Sequence, residues 1–126
     1  MPFTYHIDTE RKLVMIEAKG RMAPEEAFAV FDEVTGHPDF RPDMKVLSDH
    51  RELETVVDVE FVRAFLGRVS RMRDVFRGAQ WAFVGRGLVR YGMARMASIL
   101  SDPLGLRLRA FRSMAEAREW LGLEET

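Results

Sequence analysis

Apolar positions along the chain switch repeatedly between a period of two and a period of three to four. Phe3, Tyr5 and Ile7 alternate with Thr4, His6 and Asp8. Thr9-Glu-Arg11 interrupts, and Leu13-Val-Met-Ile16 resumes an apolar run as far as Gly20, a pattern that predicts two strands joined by a short turn. Pro24 with Glu25 and Glu26 has the form of a helix first turn, with a fixed φ and acids at the positive end of the dipole. Ala27, Val30, Phe31 and Val34 then make one apolar stripe, which Gly36 and Pro38 end.

A polar loop leads into a third strand, Met44 to Asp49. A helix is predicted over about residues 58 to 76, where Phe61, Val62, Phe65, Leu66, Val69, Met72 and Phe76 recur at helical steps and Arg63, Arg68, Arg71 and Arg73 take the other faces. Thr55 with Asp58, or Asp58 alone, is placed to cap its start. Ala79 to Val84 is a fourth strand, and Gly85-Arg86-Gly87 leads into a helix from about Leu88 to Leu100 that Ser101, Pro103 and Gly105 break. Leu106, Leu108 and Ala110 alternate with arginines, as in a half-exposed strand at a sheet edge. Ser113 and Glu116 form a capping box, and Met114, Ala117, Trp120 and Leu121 stripe a final helix. The resulting order is β-β-α-β-α-β-α-β-α, an α/β fold with a mixed, mostly parallel sheet and packed helices. It contains no repeat and no linker, so residues 1–126 are expected to form one domain.

These elements, Pro24-Glu-Glu26 after Gly20, the strand Val46-Leu-Ser-Asp49 running into His50-Arg51, and the closing Phe111-Arg-Ser-Met-Ala-Glu-Ala-Arg-Glu-Trp-Leu-Gly122 resemble the SpoIIAA-like branch of the STAS superfamily. The resemblance spans nearly the whole chain. It implies a small STAS-like domain, similar to anti-sigma-factor antagonists and to lipid-carrying Sec14-like domains. It also implies a phosphorylatable serine in a glycine-containing turn before the helix after the third strand. Here that stretch reads Glu52-Leu-Glu-Thr-Val-Val-Asp-Val-Glu60, without serine or glycine. Thr55 alone can accept a phosphate there, and Glu52, Glu54, Asp58 and Glu60 would repel it.

Composition narrows the function. There is no cysteine, which excludes disulfides, thiolate metal sites and a cysteine nucleophile. His6, His37 and His50 show no metal-ligand spacing, and neither metal nor cofactor is expected. No segment has the run of about 18 apolar residues that a spanning helix needs, and the N-terminus lacks a signal-peptide pattern, so a cytoplasmic protein with no integral membrane segment is expected. A net charge of −1 argues against nucleic acid as partner, yet it is unevenly spread. Residues 1–62 hold 14 acids and 7 bases, residues 63–126 hold 6 acids and 12 bases, and most of the 16 arginines lie in the second half.

Three constellations are candidates for chemistry. Asp49, His50 and Arg51 sit at the expected end of a central strand, where open α/β sheets place ligands; the same residues also read as a solvated strand end. Gly85, Arg86 and Gly87, with Arg90, form a strand-to-helix turn that can present N–H groups and guanidinium donors to an anion, although a turn needing glycine conformations accounts for it as well. The helix from Leu88 is apolar nearly all round: Leu88, Tyr91, Met93, Met96, Ile99 and Leu100 exceed what one sheet contact can cover. A second copy, a small lipidic ligand or a membrane surface could cover the rest, and methionine suits any of them. The expected function is a non-enzymatic binding or regulatory domain acting through protein contacts as a homodimer. The alternatives are a carrier or sensor of a lipidic or anionic amphipathic ligand and, last, an enzyme using Asp49, His50 and Arg51.

Overall fold

The computed structural model describes residues 2–76 and 78–123, with the side chains of residues 73, 75 and 88–90 outside that set. Strand β1 (Phe3–Asp8) turns back through residues 9–12 into β2 (Leu13–Gly20) as an antiparallel pair. The Asp8 carboxylate holds this turn, accepting from the backbone N–H of Arg11 at 3.0 Å and from its Nε at 2.8 Å. Helix α1 (Pro24–Thr35) starts with proline at its first position, and Glu26 accepts the Ala23 N–H at 2.8 Å.

Strand β3 (Lys45–Leu53) then pairs parallel to β2, β4 (Gln80–Val84) parallel to β3, and β5 (Arg107–Phe111) parallel to β4. The five strands lie in chain order, so β3 is central and β5 is an edge, as its alternating arginines predict. Across the sheet, Val14, Val46, Trp81 and Leu108 align in register and face one way. They join Phe31, Val34, Val62, Leu66 and Ala97 in the main core, which α1, α2 (Val59–Ser70) and α4 (Leu88–Ser101) complete. The opposite face, with Leu13, Leu47, Ala82 and Val84, packs on Ala117 and Leu121 of α5 (Met114–Leu121). Period two thus divides β2, β3, β4 and β5 between two cores, and the sheet has helices on both sides.

Two element boundaries differ from the sequence reading. The helix expected over 58 to 76 stops at Ser70, and a separate turn of helix, α3 (Arg73–Phe76), follows. At the break the Ser70 hydroxyl donates to the Gly67 carbonyl at 2.7 Å, and the Met72 N–H bonds Val69 oxygen three residues back, so the ladder tightens and ends. The helical spacing continued across the break because Phe76 is itself a core residue, packed edge-on against Phe31, Phe40 and Trp81. Strand β3, in turn, runs on to Leu53 instead of ending at Asp49, which moves Asp49, His50 and Arg51 from a strand end into the strand. Asp58 caps α2, accepting the Phe61 N–H at 2.9 Å, while the Thr55 hydroxyl accepts the Met22 N–H at 2.9 Å and ties the chain after β3 to the chain after β2.

Candidate functional site

Alternation along β3 decides what its polar residues can do together. Val46, Ser48 and His50 point toward α1, α2 and α4, whereas Leu47, Asp49 and Arg51 point toward the other face. Asp49 and Arg51 bind each other there: Arg51 Nε lies 2.9 Å from Asp49 Oδ1, its terminal nitrogen 3.0 Å from Oδ2, and its backbone N–H 3.1 Å from Oδ1. Burial pushes the Asp49 carboxyl up, but these hydrogen bonds and the guanidinium charge outweigh it and hold the group below its ordinary value. The three consecutive residues therefore do not converge on one substrate.

His50 instead faces an apolar cavity. The cavity has a volume of about 140 Å³ and lies between the sheet and α1, α2 and α4. Its walls include Val30 and Phe31 of α1, Phe61 and Phe65 of α2, Trp81 and Phe83 of β4, and Met93, Ala94 and Ala97 of α4. His50 stacks on Phe83 with ring centroids 5.3 Å apart, and its Nε2 is 2.6 Å from the Ser48 hydroxyl. Burial lowers the imidazole pKa to about 4, against the smaller opposing pull of the Asp49 carboxylate, so the ring is neutral near pH 7. Among the described residues, His50 is the one ionisable side chain in the lining. Trp81 adds a buried indole N–H with no hydrogen-bond partner among them.

The Gly85 turn is arranged differently from an anion cradle. The Gly85 N–H donates to the Phe111 carbonyl at 3.0 Å, joining β4 to β5, and so is already used. Arg86 is 67% exposed and approaches Glu52 at 3.7 Å, a solvated pair of small energetic weight. Gly87 caps α4 with φ of 85°, a conformation that glycine adopts without strain. The Leu88 and Arg90 side chains lie outside the described residues.

Helix α4 divides its apolar surface three ways. Met93, Ala94 and Ala97 face the cavity, and Ser98 donates to the Leu108 carbonyl at 2.6 Å, fixing the helix on the edge strand. Tyr91 is roofed by the Arg112 guanidinium, 4.4 Å from its ring centroid, and Met96 is half-buried. Ile99 and Leu100 point outward, 60% and 37% exposed. Sequence reasoning singled out His50, Met93 and, as a phosphate acceptor, Thr55, but missed Ser48 and Phe83. Alternation along β3 as far as His50, before the register shift against β2, carried the signal for Ser48, since it is two residues from His50.

No helix among the described residues is long and apolar enough to cross a membrane, and no cluster among them could hold a metal ion. No family model matches the chain, and no curated protein matches it. Solved structures do. An uncharacterized protein with a SpoIIAA-like fold from Shewanella loihica PV-4 is similar with a TM-score of 0.62 at 16% identity, over 94% of this chain and 93% of that one. An anti-sigma factor antagonist from Mycobacterium paratuberculosis is similar with a TM-score of 0.59 at 13% identity, over 95% of this chain and 94% of the other. This chain therefore has the SpoIIAA-like fold that its sequence resembles.

Proposed function

We propose that residues 1–126 form a single non-enzymatic STAS-like binding domain that carries or senses a small, largely apolar ligand in the cavity between its sheet and helices α1, α2 and α4. The cavity itself is the observation that carries this reading. Small-molecule sites are concave and lined mainly by hydrophobic and aromatic side chains with a few polar groups, and a partly open space of about 140 Å³ with such a lining has that form. An engineered apolar cavity of about 150 Å³ in another protein stays dry and takes up benzene. Native mass spectrometry of protein taken directly from cells, together with thermal unfolding in the presence of toluene, tests the reading. A bound small molecule, or a rise in Tm that saturates with toluene, is expected. No adduct and no rise would overturn it.

A second reading concerns assembly and rests on the outer face of α4. Ile99 and Leu100 are exposed side by side there, a small apolar patch of the kind that a second copy or a protein partner covers. Sedimentation at high protein concentration is expected to show a dimer that Ile99→Glu with Leu100→Glu converts to monomer. A wild-type monomer throughout would remove the homodimer.

A further inference from the structure

The polar content of the cavity narrows the chemical class of what it binds, an inference that rests on the ligand-binding reading above. Of the hydroxyls in the lining, Thr35 donates to the Phe31 carbonyl and Thr55 accepts the Met22 N–H, while the Ser48 hydroxyl and His50 Nε2 bond each other, 2.6 Å apart at positions i and i+2 of the central strand. The pair is fixed from several sides. The strand sets both side chains on one face, and Phe83 holds the imidazole plane by stacking.

Its hydrogen-bonding capacity follows from valence. If Ser48 donates to Nε2, the hydroxyl oxygen keeps a lone pair and the imidazole keeps its Nδ1–H. If Nε2–H donates instead, the hydroxyl keeps its own proton to give. In either tautomer the pair retains both a donor and an acceptor, and it carries no charge. A neutral alcohol or similar donor–acceptor group uses both. A carboxylate or phosphate placed there would lose its hydration with no opposite charge among the described lining residues, which is strongly unfavourable. Arg86, which follows the wall residue Gly85, is turned to Glu52 and solvent, and Arg51, which follows His50, is paired with Asp49.

We propose that the Ser48–His50 pair makes the cavity selective for an uncharged ligand, a compact apolar body bearing one hydroxyl or comparable donor–acceptor group, and that the pair reads that group. The cavity volume limits the enclosed part to about the size of one aromatic ring or a short branched chain.

Three probes with the same ring separate the possibilities: toluene, benzyl alcohol and benzoate, titrated at pH 7 into the full chain and followed by NMR shifts of the cavity methyl groups. Toluene is expected to bind, benzyl alcohol to bind roughly three- to tenfold tighter, as one added buried hydrogen bond provides, and benzoate to bind at least about tenfold weaker than the alcohol. Ser48→Ala is expected to bring benzyl alcohol to within about twofold of toluene while leaving toluene itself unchanged, and Ser48→Thr, which keeps the hydroxyl, to retain the preference. If toluene binds but benzoate matches or exceeds benzyl alcohol, or if Ser48→Ala leaves the alcohol preference intact, this inference is overturned while the cavity reading stands. If none of the three binds, both fall.

Discussion

A histidine turned into an apolar cavity must release its charge, and at His50 this has a consequence for folding. The unfolded chain takes up the imidazole proton near pH 6.5, whereas the folded chain resists it until about pH 4. Between those values the unfolded state binds more protons, so the stability associated with the neutral ring is complete above pH 6.5 and falls as the pH drops toward 4. Besides His50 itself, the charge acting on the ring is the Asp49 carboxylate on the opposite face of the same strand; the described walls contributed by α1, α2, β4 and α4 add no ionisable group. The ring keeps some contact with solvent, so the loss is expected to be roughly 1–3 kcal/mol, below the full value of the shift. Denaturant unfolding at intervals from pH 7.5 to 4.5 measures it. His50→Gln, which retains a hydrogen-bonding partner for Ser48, is expected to flatten the wild-type slope in this range. Parallel slopes for the two proteins would show that the imidazole is not desolvated.

At the scale of elements, the helices hold glycines that the fold does not use in the same way. A Cβ at Gly67 in α2, or at Gly92 in α4, would meet nothing within 4 Å, and both positions have ordinary helical backbone. Gly67→Ala and Gly92→Ala are each expected to stabilise the protein by about 0.5–1 kcal/mol, by restricting the unfolded chain. Gly87 also has open space around it, but its φ of 85° and ψ of 162° lie in a region essentially restricted to glycine, so Gly87→Ala is expected to cost about 1–3 kcal/mol. Thermal or denaturant unfolding of the three variants checks the opposite signs; a loss at Gly92 would mean that another surface packs on that side of α4. The order and type of these elements could be read from the sequence because Phe3-Tyr5-Ile7 and Ala27-Val30-Phe31-Val34 hold different periods over enough residues to separate strand from helix. The break at Ser70 could not. Helical spacing survives across it because Phe76 returns to the same core by a second, short helix. The cavity was legible only in part: alternation places Ser48 with His50, but an unfilled volume depends on how three helices approach the sheet, which no local pattern encodes.

The whole molecule reconciles its uneven charge by spreading it. Arg68 of the basic half reaches Asp32 of the acidic half at 2.7 Å, and Arg86 approaches Glu52. Arg68 and Arg63 lie on α2, on one side of the sheet, while Arg107 stacks over Trp120 of α5 on the other, 5.8 Å from the ring centroid. The arginines of residues 63–112 thus do not form a single basic face, and the cavity is the stronger organising feature. The apolar space of about 140 Å³ opens to solvent, with Val56 in its lining 52% exposed, so an apolar side chain placed in it is removed from water. Filling it should therefore stabilise the fold and remove the ligand. Ala97 projects from α4 into the cavity and is itself buried, so Ala97→Leu places three further carbons in the empty space without exposing them. The variant is expected to gain about 1 kcal/mol, a rise in Tm of roughly 3–5 °C for a chain of this size, and to lose the saturable rise in Tm with toluene. A variant that is destabilised and still responds to toluene would place α4 closer to the sheet than the packing described and put the binding space elsewhere, since overfilling a closed core strains it. Stability and binding are expected to move in opposite directions here because they compete for the same volume.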